Sequence, residues 1–472
     1  MPQLPPLALT EGEMRRLGYL VIDMLVDHAC ELSQKSVTRA KDRATLSALF
    51  REPPPQDGQD IEAVIETAGE HIFSNVMHVD HPRFFAFAPS PSNFVSAMAD
   101  ALASGFNVFT GVALEGSAAA EIEVTVLDWL RQICGLPKPA GGVLVSGGSM
   151  ANLTALATAR RVALGDEWHH ATLYSSDQTH SSVGRAVSIL GFRSSQLRTI
   201  PSDEGFRIQL DSLRKAIHQD RSNGLRPFCV VANAGTINTG AVDPLRDIAD
   251  ICKDERMWFH ADGAYGAASL LTDEGKEALR GLELVDSLSL DPHKWLFQPY
   301  DIGCVLVRDP RWLEETFRVL PEYLKEVLSW GEGVNFSDRS PELTRRFRGL
   351  KLWMSVKAFG LDAFRRAVAT GLSNARFAEK QLRSNPVWEV LTPASLGVVA
   401  FRYHPVGRSD TDLNRINLAI SQRCVAGGFA MVVTTELRNQ TALRLCTINP
   451  RTSTEDISDT IRYLERAGAS AS

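Results

Sequence analysis

The chain has 472 residues, of which 44% are apolar, 22% charged and 8% aromatic. That balance excludes a disordered or collagen-like polypeptide and suffices for a large core spread over roughly two to four domains. Fifty Lys+Arg against 56 Asp+Glu leave a formal net charge of −6, so no global field draws the chain to nucleic acid or an anionic membrane.

Seven scattered cysteines form no C-x-x-C pair, a pattern that fits reduced thiols better than a disulfide framework or a zinc ribbon, and no metal is expected. The start, MPQLPPLALTEGEMRR, lacks a basic segment followed by an apolar one. No later run reaches about 18 apolar residues. A cytoplasmic protein without membrane contact is the expectation.

In chain order, Thr10 and Glu13 form a capping-box pattern. Met14, Leu17, Val21, Met24, Leu25 and His28 then follow at helical spacing. Pro53-Pro54-Pro55 breaks the chain, and a second amphipathic helix is predicted over 60–77. Helices without strands do not make an independent domain, so 1–80 reads as an arm packed on another body or a second subunit.

From about 90 to 310, short apolar runs alternate with helical stretches. Strands are predicted at Gly142–Val145, Ala171–Tyr174, Phe228–Ala232, Trp258–His260, Ser287–Leu290 and Cys304–Val307. Helices are predicted near 117–134, 150–163, 180–190, 209–219 and 244–254. The alternation implies an α/β fold, a mostly parallel sheet with helices on both faces and ligands at the strands' carboxyl ends. After 345 come a long helical stretch, strands near 397–402, 429–433 and 441–446, and a terminal helix from about 454, together a small C-terminal α+β domain. The expected division is therefore 1–80, 81–345 and 346–472.

Four features at predicted strand ends carry chemistry. Ser146-Gly147-Gly148-Ser149 follows the run GVLV and opens a helix; small residues let an anion approach the free N–H groups of a helix start. An ordinary strand-to-helix turn reads the same way. Asp262 ends MWFHAD, where it can face a flat ligand or merely cap a turn. Lys294 in DPHKW is either an amine held for Schiff-base formation or a solvated lysine. His180 in SSDQTHSSV stacks on a planar ligand, acts as an acid or base, or is structural. In this order, with Lys294 32 residues after Asp262, the set matches what pyridoxal 5'-phosphate needs: a phosphate seat, a pyridinium partner and an amine for the aldehyde.

The segments HPRFFAFAPSPSNF, DWLRQICGLP, SGGSMAN, YSSDQTHSSVGRA, NAGTINTGAVDPL, FHADGAYG, DPHKWLF and RRFRGLKLW resemble those of the pyridoxal-phosphate-dependent group II amino-acid decarboxylases, the family of aromatic-L-amino-acid decarboxylase. The likeness runs from about Thr10 to near the end. It implies the type I, aspartate-aminotransferase-like fold and a homodimer with swapped N-terminal helices and an active site at the interface. It also implies decarboxylation of a small-molecule amino acid, most of all an aromatic one, to the amine and CO2.

Residue by residue, the resemblance makes Lys294 the Schiff-base lysine and Asp262 the pyridinium partner. His180 becomes the ring-stacking imidazole, and Ala264 the small residue on the opposite face. Thr236 lies near the ring hydroxyl. Gly148, Ser149 and His293 hold the phosphate, and Phe87, Ala88 and Pro89 contact the substrate side chain.

Three positions depart from the animal and plant pattern. Asp291 stands where asparagine is common; a carboxylate would repel the phosphate, so it is expected to turn toward backbone donors. Ala88 replaces a common aromatic. Phe336, nine residues before Arg345-Arg346, occupies the place of a tyrosine proposed to protonate Cα, within a polar, Gly-rich stretch from Trp330 expected to form a mobile active-site loop. Relatives that produce aldehydes by decarboxylation-dependent oxidative deamination carry phenylalanine there. That is one alternative; a non-aromatic substrate such as a diamino acid, glutamate or cysteine sulfinate is another. Tyr323 is close in sequence. Arg444, in LRL, reads as a surface arginine, with a polar contact near the site mouth as the alternative.

Overall fold

The computed structural model describes residues 5–39, 41–319 and 333–471. Seven strands make the larger sheet: β1 (Gly141–Val145), β2 (Ala171–Ser176), β3 (Leu197–Ile200), β4 (Arg226–Asn233), β5 (Trp258–Asp262), β6 (Ser287–Leu290) and β7 (Gly303–Val307). Their spatial order is β1-β7-β6-β5-β4-β2-β3. The run from β6 to β3 is parallel, and β7 lies antiparallel between β6 and β1. The central strands are buried along nearly their whole length, as both-face helical cover requires.

A second sheet has the order β10-β11-β9-β8, entirely antiparallel, formed by β8 (Trp388–Ser395), β9 (Val398–Tyr403), β10 (Thr434–Leu437) and β11 (Gln440–Cys446). The segment expected as a strand at 429–433 forms none. Met431 instead makes a single bridge to Phe84, while the Phe85 carbonyl accepts from Cys446 N, so the chain at 84–85 fills that place beside the small sheet. The long helical stretch after 345 is two helices, Gly349–Phe359 and Leu361–Arg383, parted at Gly360, whose φ of 72° is one that L side chains rarely adopt.

The first helix, Glu11–Glu31, starts at Thr10 with the expected capping box: Thr10 Oγ1 accepts from Glu13 N, and Glu13 Oε2 accepts from Thr10 N. None of its residues is buried. Residues 61–75 are helical throughout but change hydrogen-bonding pattern along the way. No helix among the described residues is long and apolar enough to cross a membrane. All seven cysteines are free thiols, six of them buried.

Candidate functional site

The parallel strands end at a common edge, and there a cavity of about 350 Å³ opens. Ser146–Ser149 after β1 forms one side of it, and Asp262 closes β5. Asp291, His293 and Lys294 follow β6, and His180, Thr236 and Ala264 complete the part foreseen from sequence. The helix Gly148–Leu164 begins at the turn without a side-chain cap, leaving its first N–H groups for a ligand. Glycine is required at 148: a Cβ there would stand 2.8 Å from Asp291 Oδ2 and 3.0 Å from Ala264 Cβ.

Asp262 is buried and oriented from three sides. Oδ2 accepts from Asn152 Nδ2 at 2.8 Å, and Oδ1 accepts from Ala264 N and Ser289 Oγ, both at 3.1 Å. Burial alone would raise the Asp262 pKa. The positive charge of Lys294 and the Asn152 hydrogen bond outweigh it and hold the group below the ordinary carboxylate value. Because a carboxylate only accepts, Asn152 must present its NH2 to Asp262 and its oxygen to His260 Nε2, 3.0 Å away. His260 therefore carries its proton on Nε2, and Nδ1 accepts from Ser287 Oγ at 2.8 Å, which in turn accepts from Trp258 Nε1. Burial pulls the His260 pKa down to about 4, so the imidazole is neutral. This chain behind the cavity fixes the Asp262 carboxylate. Asn152→Ala should cost about 1.5–3 kcal/mol of that orientation, roughly 10- to 100-fold in kcat. Steady-state kinetics check it; an unchanged kcat would show that Asp262 needs no such support.

Lys294 Nζ lies 2.9 Å from Asp291 Oδ2. Burial favours the neutral amine, but the Asp291 and Asp262 carboxylates together keep its pKa above the ordinary lysine value. Asp291 does not turn toward backbone donors as expected. Its Oδ2 faces the lysine, and its buried Oδ1 has no partner. The reason is proximity: the ammonium three residues on is the nearest strong donor to a carboxylate that is itself only 2% exposed.

His180 caps the helix Ser181–Ile189, accepting from Ser182 N, and its ring borders the cavity. The Thr236 hydroxyl lies 2.9 Å from that of Thr239 and accepts from Ala241 N at 3.1 Å. Asn152, Gln178, Ser182, Asn233, Ile237 and Tyr265 also line the cavity and were not singled out from the sequence. All six fall within the segments that carry the family resemblance, but nothing in the spacing set them apart from their neighbours there.

Three placements differ from expectation. Phe87, Ala88 and Pro89 do not line the cavity; Phe87 is 53% exposed, with φ of 52°. Phe336 does not line it either. Its ring is fully buried, with the Arg345 guanidinium 5.1 Å and that of Arg339 5.8 Å from its centroid. An apolar ring gains more from that core position than from a solvated loop. Trp330 and Tyr323 lie outside the described residues. Arg444 is no surface residue: it is 4% exposed and donates to the carbonyl of Ile237.

The donors present fit pyridoxal phosphate. A turn shaped for an anion, an oriented and ionised carboxylate and a protonated amine converge on one cavity, beside a buried carboxylate oxygen with no partner.

A model described as the pyridoxal-dependent decarboxylase conserved domain matches residues 44–404. Aromatic-L-amino-acid decarboxylase of Bacillus atrophaeus is 48% identical, over 96% of this chain and 94% of that protein. The structure of Oryza sativa TDC with PLP and tryptamine superposes with a TM-score of 0.94 at 28% identity, covering 99% of each chain. That of Rhodiola rosea 4-hydroxyphenylacetaldehyde synthase does so with a TM-score of 0.91 at 26% identity, again over 99% of each. With these matches and this site, the chain belongs to the pyridoxal-dependent decarboxylase family and is an enzyme that uses pyridoxal phosphate.

Proposed function

We propose that the enzyme removes the α-carboxylate of an L-aromatic amino acid as CO2 and releases the amine. The observation that carries the reaction class is the convergence of Lys294 and Asp262 on the cavity bordered by the Ser146–Ser149 turn. The aromatic preference is supported by the Bacillus atrophaeus relative's name and by the TDC structure with tryptamine.

When bound, the cofactor supplies an aldehyde for amine exchange and a ring that accepts the electrons released with CO2. The residues of the chain do the rest. Asp262 offers an ionised carboxylate to a ring N–H, and Asn152, Ser289 and the Ala264 N–H keep it aimed. Lys294 alternates between holding the cofactor and carrying a proton on Nζ. The turn N–H groups and Ser149 anchor the phosphate, and His180 and Ala264 border the ring. The arm supports a homodimer as the working unit: no residue of the helix Glu11–Glu31 is fully buried in its own chain, and its apolar residues Met14, Val21 and Leu25 are exposed.

The test incubates the loaded enzyme with phenylalanine, tyrosine, DOPA and tryptophan separately, with and without oxygen, and measures amine, aldehyde, ammonia and peroxide. Amine formed without oxygen dependence is expected. Aldehyde with matching ammonia and oxygen uptake would support the oxidative reading, which the likeness to an aldehyde synthase favours. Because Phe336 packs beneath Arg345 rather than lining the cavity, Phe336→Tyr is expected to leave the product ratio unchanged. A shift from aldehyde to amine in that variant would make position 336 decisive after all.

A further inference from the structure

We propose that the Asp291–His293 pair takes up one proton when a tetrahedral dianion, the cofactor's phosphate, settles on the Ser146–Ser149 turn. The proposal rests on the reading of that turn as the phosphate seat.

The observation behind it is a mismatch of donors and acceptors. Asp291 is 2% exposed, and its Oδ2 would be only 2.8 Å from a Cβ at Gly148, so the carboxylate stands against the turn itself. Its Oδ1 has no hydrogen-bond partner. His293 Nδ1 lies 2.7 Å from the Ile302 carbonyl, which can only accept, so the ring proton sits on Nδ1. Burial lowers the His293 pKa, with Asp291 opposing, which leaves a neutral ring. Nε2 is then a bare lone pair facing Asp291 Oδ2 across 3.7 Å. Two acceptors face one another with no hydrogen between them.

An arriving dianion adds further acceptor atoms and negative charge to this corner. Among the described residues Lys294 is the cation that faces Asp291, and the carboxylate already neutralises it. The other titratable groups around the cluster, among the described residues, bring no further positive charge. Asp262 approaches from β5, Cys304 from β7, and Tyr300 and Asp301 from the segment entering β7. The helix Gly148–Leu164 contributes glycine at this point. One proton resolves the conflict. It comes from solvent, forms an O–H bond on Asp291 or an N–H bond on His293 Nε2, and breaks no bond in the protein. The pair then has a hydrogen to donate, and Lys294 is freed from its counter-ion.

The experiment titrates the cofactor-free full-length chain with inorganic sulfate by calorimetry near pH 8, in buffers of different ionisation enthalpy. Sulfate does not titrate there, so any proton taken up goes to the protein. Uptake close to one proton per sulfate is expected, with affinity falling roughly tenfold per pH unit. Asp291→Asn should bind sulfate with almost no uptake and a shallow pH dependence. His293→Gln, with reduced uptake, serves if the first variant fails to fold. Sulfate binding by the wild type without proton uptake overturns the proposal and leaves the phosphate seat standing. Full uptake retained in Asp291→Asn overturns it as well. Failure of sulfate to bind at all overturns the seat and the proposal together.

Discussion

Replacing Lys294 with alanine is expected to abolish decarboxylation, lowering kcat/KM by roughly 10³-fold or more, and to leave no cofactor that borohydride can fix to the chain. The geometry also predicts a second effect, in the cofactor-free protein. Asp291 is 2% exposed and Lys294 Nζ is its 2.9 Å counter-ion. Removing one member of a buried pair strands the other, at a cost of about 3–5 kcal/mol. Lys294→Ala should therefore unfold at lower urea than the wild type, and adding Asp291→Asn should restore most of the loss without restoring activity. Cofactor still fixed by borohydride in Lys294→Ala would show that a different amine serves. Unchanged urea stability would show that the Lys294–Asp291 pair contributes nothing to the fold of the cofactor-free protein.

The second large effect lies outside the cavity. Arg345 and Glu123 are both 0% exposed, with Nη2 and Oε1 2.6 Å apart. The pair also clamps β1: Leu144 N donates to Glu123 Oε1 at 2.9 Å, and Leu144 O accepts from Arg345 Nη2 at 2.6 Å. β1 is an edge strand, so these two side chains occupy backbone groups that would otherwise be free to pair with another strand. Arg345→Met leaves the Glu123 charge buried and unmatched and is expected to cost about 3–5 kcal/mol. Glu123 Oε2 and Arg345 Nε have no partner even in the intact pair. Incomplete satisfaction of this kind makes the joint replacement Glu123→Gln/Arg345→Met far less costly than the single one. Urea unfolding of Arg345→Met, Glu123→Gln and the double variant decides it; additive losses would mean that the two side chains act independently.

What could be read from the sequence follows burial. Strands with uninterrupted apolar runs, such as GVLV and FCVVA, lie in the middle of the larger sheet or against β7, and each was placed within a few residues. β3, LRTI, is a half-exposed edge strand with alternating polar residues and gave no such run. β8 and β10 escaped for the same reason: β8 is mostly half-buried and contains Pro393, and β10 is TTEL. The segment at 429–433 has the apolar content of a strand, but its neighbour comes from Phe84, more than 300 residues away, and such pairing leaves no local trace.

The cavity divides in a similar way. Lys294, Asp262, Ala264, His180 and the turn sit at strand or helix ends, where sequence order maps directly onto one edge of a parallel sheet. Asn152 and Ser289 act through Asp262 from the interior of a helix and a strand, and polar residues there are indistinguishable by pattern from ordinary buried ones. Arg444 was misread because its partner, the Ile237 carbonyl, is brought to it only by the packing of the two sheets. The orientation of Asp291 depended on weighing a neighbouring ammonium against backbone donors, and the ammonium prevailed.

The antiparallel placement of β7 brings Gly303, its first residue, directly behind Gly147, so closely that a Cβ at 303 would overlap the Gly147 backbone. The depth of the anion turn is thus set by main chain resting on main chain. Such a contact has no side chain to be trimmed, and substitutions elsewhere around the cavity cannot loosen it by shortening a group. The turn is indifferent to most drift in its neighbourhood and vulnerable at one atom: a single methyl added to Gly303 would push it toward the ligand from behind.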